Sequence, residues 1–442
     1  MQISVIIPAL NEKENLVRLV PQLHQILTQL VPINDYEIII VDGGSTDGTK
    51  EVVLPLNLKF IQQKSPGYGG AIKEGFKIAT GIWLFTMDAD LSHDPRFFHN
   101  LWDMRNEAEV IIASRYVQGG KAIMPVSRII LSRILNLFFS HGLSLPIKDM
   151  SSGFRLYRKS AVELLSDNLV SHNFDVLEEI LIRTHAEGWR ICEVPFQYNP
   201  RYTGRTHAKL IRFGIAFLRT FYRMWKLRNS IQSADYDARA FNSIIPLQRY
   251  WQRKRFAIIT KYISEEKIQN IPQTKIYGLD IGCGSSKIIS QSQGNIIGLD
   301  IQLNKLRYLH LQHHDLTSLP LVNGSILQLP FRNEQFTLIV CSQLIEHLPN
   351  TAVWLTEINR ILRPGGILIL GTPDYQKLSW QVIEYLYRIF APGGYADEHI
   401  THYTLSNLKG LLSNNGFQIL DKRYICNAEL IMVAIKPSNR VG

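Results

Sequence analysis

Cysteine is scarce. There are four in 442 residues (Cys192, Cys283, Cys341 and Cys426), far apart and without a CxxC pair. That excludes a disulfide framework and a thiolate zinc site, and it fits a reducing cytoplasm. No stretch reaches 18 uninterrupted apolar residues, so no transmembrane helix is expected. No basic segment precedes an apolar run at the start, where Ile3 already opens a strand, so no signal peptide is expected. Acidic residues are missing from two stretches. None stands between Arg115 and Asp149, and none between Arg201 and Arg228, where there are eight basic residues. The net charge of +10 calls for an anionic partner: nucleic acid, a membrane surface or a phosphorylated small molecule.

What is present is ordinary for a globular protein, with 45% hydrophobic and 19% charged residues, enough for sizeable cores. The length exceeds one ordinary core, so two domains are expected. Residues 1–200 alternate short apolar strands (Ile3–Pro8, Glu37–Val41, Lys59–Gln62, Gly81–Thr86, Val110–Ala113) with helical patterns such as Lys13–Leu30 and Gly69–Ala79. A second series begins near Lys275, with strands Ile276–Asp280, Asn295–Asp300, Phe336–Cys341 and Gly366–Leu370. Both series predict α/β domains with mostly parallel sheets. The expected division is 1–230, including a basic helical extension from about 201, then a linker over 231–270, then 271–442. No internal repeat links the halves.

The first strand ends in Pro8-Ala9-Leu10-Asn11-Glu12, at the carboxyl edge where parallel sheets bind ligands. The second ends in VDGGSTDGT, with Asp42 and Asp47 able to accept hydrogen bonds from a base and a ribose. The same segment also reads as a βα turn with Asp capping a helix. Gly67 and Gly69 sit in a glycine loop that opens a helix, a place that favours phosphate. Trp83–Asp90 reads as one strand, which puts Asp88 and Asp90 on one face. Two adjacent carboxylates repel unless a cation lies between them, and hard oxygens suit Mg²⁺ or Mn²⁺ on a diphosphate. The bland alternative is a helix cap at Asp90.

In order, IIPALNEKENL, VDGGSTDGT, GYGGAIKEGF, MDADLSHDP, ASRYVQGG and DMSSGFRLYRKSA resemble the family-two glycosyltransferases of GT-A fold. Within that family they look like the dolichol-phosphate mannose synthase group, over residues 2–215. The resemblance implies that Pro8, Ala9, Asn11 and Glu12 line a nucleotide pocket, with Asp42 and Asp47 on base or ribose. It makes Asp88 and Asp90 the metal ligands and implies inverting transfer of a hexose; the sequence does not name the donor, and GDP-mannose and UDP-glucose are the leading candidates.

Transfer to a polyprenyl phosphate needs no general base, because a phosphomonoester is largely ionised at neutral pH. It needs cations. The resemblance places phosphate-binding arginines at Arg115 and Arg128 and a basic loop at Arg201, Arg205 and Lys209; Arg133 adds to the set. Ile129–Leu145 and Leu210–Leu227 mix apolar and basic residues, as a helix in a membrane interface does. The expected location is therefore peripheral, on the cytoplasmic face. A competing acceptor is a sugar or protein hydroxyl, with Asp149 as candidate base or else as a brace for the Ser151–Arg155 loop.

Downstream, Asp280-Ile281-Gly282-Cys283-Gly284 is a glycine turn after a strand, and Asp300 ends the next strand. With NGSILQLPF, Glu346-His347-Leu348 and LRPGG, the set resembles class I S-adenosylmethionine-dependent methyltransferases over residues 250–436. The resemblance implies that Asp280, Gly282 and Gly284 hold the methionine end of S-adenosylmethionine and Asp300 its ribose. Ser325 stands where that family often has Asp against adenine. His347 is a candidate base, and His399 and His402 are candidates for the acceptor side. A second whole-chain reading makes this domain a non-catalytic cofactor-binding module. Nucleic-acid methylation is set aside, because the basic residues cluster with the first domain; oligomeric state is unknown.

Overall fold

The runs ISVIIPA and YEIIIVD are apolar nearly throughout, as strands covered on both faces are. In the computed structural model they form β1 (Ile3–Ala9) and β2 (Tyr36–Asp42), paired in parallel. The structure describes residues 1–200, 210–264, 277–292, 294–313, 319–349, 351–390 and 398–438, with the side chains of 210–213 and 387–390 excepted. Two units separate. One is Met1–His185 with Trp189–Trp225, and the other is Lys226–Gly442 with Ala186–Gly188.

In the first unit β3 (Lys59–Gln62), β4 (Trp83–Thr86), β5 (Val110–Ser114), β7 (Arg155–Arg158) and β8 (Ile191–Pro195) complete a seven-stranded sheet. A small ribbon pairs β6 (Lys121–Ala122) with β9 (Gln197–Tyr198). The sheet order is β3-β2-β1-β4-β7-β5-β8, parallel except where β7 runs against β4 and β5. The Lys13–Leu30 helix buries Leu16, Leu19, Val20, Leu23 and Leu27, an i, i+3, i+4 face set on the sheet. The order reverses between β1 and β4, so the carboxyl ends of these strands flank a crevice.

One local expectation fails. The strand carrying the acidic pair stops at Thr86, and Met87–Asp90 lie beyond it in a bend that ends at Leu91, whose φ is 60°. Strand alternation therefore does not set the directions of Asp88 and Asp90. Asp90 instead turns inward, its Oδ1 accepting from the Ser92 amide at 3.0 Å and the Ser92 hydroxyl at 2.5 Å.

The second sheet repeats the logic with β10 (Gly278–Ile281), β11 (Ile296–Asp300), β12 (Leu321–Asn323), β13 (Phe336–Ser342), β14 (Leu362–Pro373), β15 (Gln418–Ile425) and β16 (Glu429–Ile435). The order is β12-β11-β10-β13-β14-β16-β15, with β16 antiparallel to both neighbours. The stretch expected as a linker is helical over Tyr236–Phe241 and Pro246–Ile263. Ile258, Ile259 and Tyr262 are buried with Ile288, Leu306 and Val433 of this domain. Its basic residues hid that apolar face. Arg255, for one, is spent on Glu429, with bonds of 2.6 and 2.7 Å.

Candidate functional sites

At the mouth of the first crevice Asp88 keeps 27% of its side chain exposed. The Tyr68 hydroxyl donates to its Oδ1 at 3.4 Å, and Tyr68 stacks on Phe174. A Cβ on Gly153 would come within 2.7 Å of the Tyr68 hydroxyl and 3.4 Å of Asp88 Oδ1, so the glycine keeps this space open. His93, buried beneath, accepts the Asp88 amide on Nδ1 at 3.1 Å. The part-exposed carboxylate of Asp88 is a hard oxygen donor of the kind a divalent cation takes, while Asp90 is buried against Ser92.

The neighbouring loop is held by its own side chains. Asp42 accepts from the amides of Gly44 and Ser45, both at 3.0 Å, and from the Ser45 hydroxyl. Asp47 accepts from the Thr49 amide and hydroxyl and from the Lys13 amide. Burial pushes Asp47 up, but these bonds outweigh it and hold its carboxyl below the usual range. Asn11, at φ 57°, locks the two loops together. Its amide donates to the Ser45 hydroxyl and its Oδ1 accepts from the Thr46 amide, both at 2.8 Å. Gly67 and Gly69 are needed for packing: a Cβ on either would meet the carbonyl of His172 or Ser171 at 2.3 or 2.6 Å.

Arg115 makes a two-pronged ion pair with Asp149, at 2.8 and 2.7 Å, and also donates to the Ser151 hydroxyl. Burial pulls its pKa down, but the hydrogen bonds and charge of Asp149 outweigh that and raise it. Asp149 is fully buried, accepts the Arg115 amide as well, and braces this loop. Arg128 and Arg133 are exposed on the Val126–Gly142 helix, and the Arg133 guanidinium lies 5.5 Å from the Tyr116 ring, which Arg115 also faces. Arg201, Arg205 and Lys209 lie outside the described residues.

In the second domain a cavity of about 350 Å³ is lined by Asp280, Gly282, Asp300, Lys305 and His347, and by Asp237 from the added helices. Gly282 and Gly284 have φ of 69° and 54°. A Cβ on Gly284 would lie 2.2 Å from Asp237 Oδ2, so only glycine fits. Asp300 accepts the amides of Gly284 and Gln302. Asp280 is buried, and its Oδ2 has no hydrogen-bond partner among the described residues. Burial, and then the charges of Asp300 and Asp237, push its pKa well up. An orphaned carboxylate oxygen amid two more carboxylates fits a cationic ligand, and S-adenosylmethionine carries a sulfonium and an ammonium. Ser325 is not among the lining residues; its hydroxyl accepts the Leu327 amide.

Residues 4–165 match the Glycosyl transferase family 2 profile, and residues 279–370 match a Methyltransferase domain profile. The chain joins a family 2 glycosyltransferase domain to a methyltransferase domain. A dolichol-phosphate mannosyltransferase of Pyrococcus furiosus is 35% identical over 242 residues, covering 52% of this chain and 66% of its own length. Glycosyltransferase AglD of Haloferax volcanii is 27% identical over 236 residues, covering 51% of this chain and 38% of its own. This chain thus spans less than two thirds of either relative. Among solved structures, glucosyl-3-phosphoglycerate synthase of Mycobacterium tuberculosis is similar at 18% identity, covering 50% of this chain and 79% of that one, with a TM-score of 0.39.

In the family 2 domain the structure gathers Asp88, Asp90, Pro8, Ala9, Asn11 and Glu12 around the ends of β1 and β4, and Asp42 and Asp47 at the loops after β2. Sequence reasoning passed over His93 and Gly153, although His93 follows Asp88 by five residues in MDADLSH. In the methyltransferase domain it passed over Asp237, which carries no motif. The His347 and His399 rings do come together, with centroids 5.0 Å apart, and His402 stacks on Tyr375 at 4.1 Å. Burial pushes Glu346 up to about 8 and pulls His347 down.

Proposed function

We propose that the family 2 domain transfers a hexose from a nucleoside-diphosphate sugar to a polyprenyl phosphate at a membrane surface. We further propose that the methyltransferase domain uses S-adenosylmethionine to methylate that sugar or a related glycan or lipid. Asp88 and Asp90 would hold Mg²⁺ or Mn²⁺, which neutralises the leaving diphosphate. An acceptor phosphate oxygen forms the new bond to the anomeric carbon as the bond to the diphosphate breaks with inversion, and the nucleoside diphosphate leaves with that electron pair. No base is required, because the acceptor is already an anion.

The observation that carries this reading is the Val126–Gly142 helix. Val126, Ile130, Ile134 and Phe138 recur every fourth residue, with Leu131 and Leu137 beside them, and all are exposed, Ile130 at 53% and Ile134 at 59%. Arg128 and Arg133 stand exposed on the same helix. Phe138 and Phe139 pack on Phe221 of the Leu210–Asn229 helix, which adds exposed Ile215, Leu218 and Tyr222. An apolar row beside cations suits an anionic lipid surface, and each side chain fully buried there contributes about 1.5–3 kcal/mol. Among the described residues no helix is long and apolar enough to cross a membrane. The hydroxyl-acceptor alternative needs a base, and Asp149 is committed to Arg115.

The test is a screen of GDP-mannose, UDP-glucose and related donors with Mg²⁺ or Mn²⁺, and with undecaprenyl or dolichyl phosphate in anionic vesicles. A lipid-linked hexose is expected. Asp88→Ala and Asp90→Ala should abolish it and leave S-adenosylmethionine binding intact. Ile130→Asp with Ile134→Asp should release the protein from vesicles. Transfer to free sugars, with none to any polyprenyl phosphate, would overturn the acceptor reading.

A further inference from the structure

Glu346, His347 and His399 converge in the methyltransferase domain. One oxygen of Glu346 and one ring nitrogen from each histidine lie within 4.8 Å of one another. Glu346 and His347 sit in a short helical turn after β13, and His399 sits in a loop some fifty residues later. That loop is fastened to the turn. The amides of Ile400 and Thr401 both donate to the Glu346 carbonyl at 2.9 Å, and the Thr401 hydroxyl donates to the Leu348 carbonyl at 2.5 Å.

The ring tautomers follow from the neighbours. His347 Nδ1 lies 2.9 Å from the Glu398 carbonyl, which only accepts, so Nδ1 carries the proton and Nε2 the lone pair. The Tyr375 hydroxyl donates to Glu384 at 3.1 Å, so at 2.6 Å it accepts from His399 Nδ1. Both imidazoles thus have Nδ1 tied to an oxygen, the outer support that orients histidine ligands on a metal. Two imidazoles and a carboxylate suit a first-row transition cation better than Mg²⁺ or Ca²⁺.

We propose that Glu346, His347 and His399 form a divalent transition-metal site on the wall of the methyl-donor cavity, and that this site holds the hydroxyl oxygen of the methyl acceptor. His347 lines the cavity and also belongs to the cluster, so the cluster adjoins the donor cavity. Trp380 lies beside His399, with ring centroids 5.9 Å apart. The acceptor hydroxyl, its acidity raised by the cation, releases its proton to solvent. Its oxygen then bonds to the sulfonium methyl as the carbon–sulfur bond breaks, and sulfur keeps the pair as a neutral thioether.

The inference rests on the methyl-transfer reading, so the test separates the two. Full-length protein carrying Asp88→Ala and Asp90→Ala, which removes the first domain's metal site, is stripped of metal. It is then titrated with Zn²⁺ by calorimetry and with Co²⁺ by visible absorption, with S-adenosylmethionine binding measured alongside. One equivalent of metal is expected. His399→Ala should weaken it by about 100-fold or more, and Tyr375→Phe, which removes only the outer support, by about 10–100-fold. Both variants should keep the parent's circular dichroism melt; Glu346→Gln, being buried, is read only if it folds. A folded chain that binds S-adenosylmethionine but no metal overturns the site and leaves methyl transfer standing. Metal binding that His399→Ala does not change also overturns it. Metal binding that His399→Ala weakens, in a chain that does not bind S-adenosylmethionine, keeps the site and refutes the methyl-transfer reading.

Discussion

His93 accepts the Asp88 amide on Nδ1 at 3.1 Å, and its Nε2 lies 3.8 Å from Asp88 Oδ2. With Nδ1 accepting, the neutral ring carries its proton on Nε2, toward the carboxylate. The ring is stacked on Phe154, with centroids 4.9 Å apart and planes at 14°. His93 thus positions Asp88, the first carboxylate of the proposed metal pair.

His93→Phe preserves the stacking and removes both polar contacts. It should cost about 1–3 kcal/mol, from the amide left without its acceptor. The Mn²⁺ concentration that half-activates sugar transfer should rise about 10-fold or more, because the outer support of a ligand is lost. A melt and a metal-activation curve measure the two separately. A lower melt with an unchanged curve would make His93 merely structural.

Asp149 distinguishes the acceptor readings. Removing one partner of a buried ion pair costs about 3–5 kcal/mol, since the other charge is stranded. Asp149→Asn should therefore lower the melting temperature of the family 2 domain by roughly 6–20 °C, at about 2–4 °C per kcal/mol. Arg115→Met added to it should recover part of the loss. A general base would behave differently, with Asp149→Asn abolishing transfer at an unchanged melting temperature.

Much of this was legible because strand ends and glycines carry chemistry in short motifs. Asn11, Asp88 and Asp280 could be placed from local sequence alone, and they fall at the points where the two sheets reverse their strand order, with Asp300 at the end of the neighbouring strand β11. What escaped was set by distant partners. β7 reads as RLYR, a poor strand, and lies inside the sheet because Arg155 is satisfied by the carbonyls of Met150 and Leu177. The basic run Pro246–Ile263 looks like a linker until Glu429 supplies its counter-charge to Arg255. Asp237 reaches the cofactor cavity through Ser285, 48 residues away, a contact no motif announces.

Glu178 should make the family 2 domain less stable as pH rises. It is buried, and neither carboxyl oxygen has a hydrogen-bond partner among the described residues. Burial pushes it up to about 8 from the ordinary 4.5, against an opposing pull from Arg155. Between those values the native state keeps a proton that the unfolded chain has lost. Stability is therefore full below about pH 4.5 and falls as pH rises toward 8, by an amount on the order of a few kcal/mol. Urea melts at pH 5 and pH 8 should show the drop in the parent, and Glu178→Gln should reduce it. An equal drop in the variant would assign the effect to other groups.

Asp280 should separate stability from binding. Its Oδ2 is buried without a partner, and Asp237 and Asp300 stand nearby, so the ligand-free domain carries an uncompensated site. Asp280→Asn keeps the shape and removes the charge. It should raise the melting temperature of the ligand-free methyltransferase domain, because a buried carboxyl among like charges is replaced by a neutral amide. The same change should weaken S-adenosylmethionine by about 10-fold or more, since a charge-assisted bond contributes roughly 1.5–3 kcal/mol. Calorimetric titration and a melt on the same sample give both signs. If Asp280 only braced the glycine turn, stability and affinity would fall together.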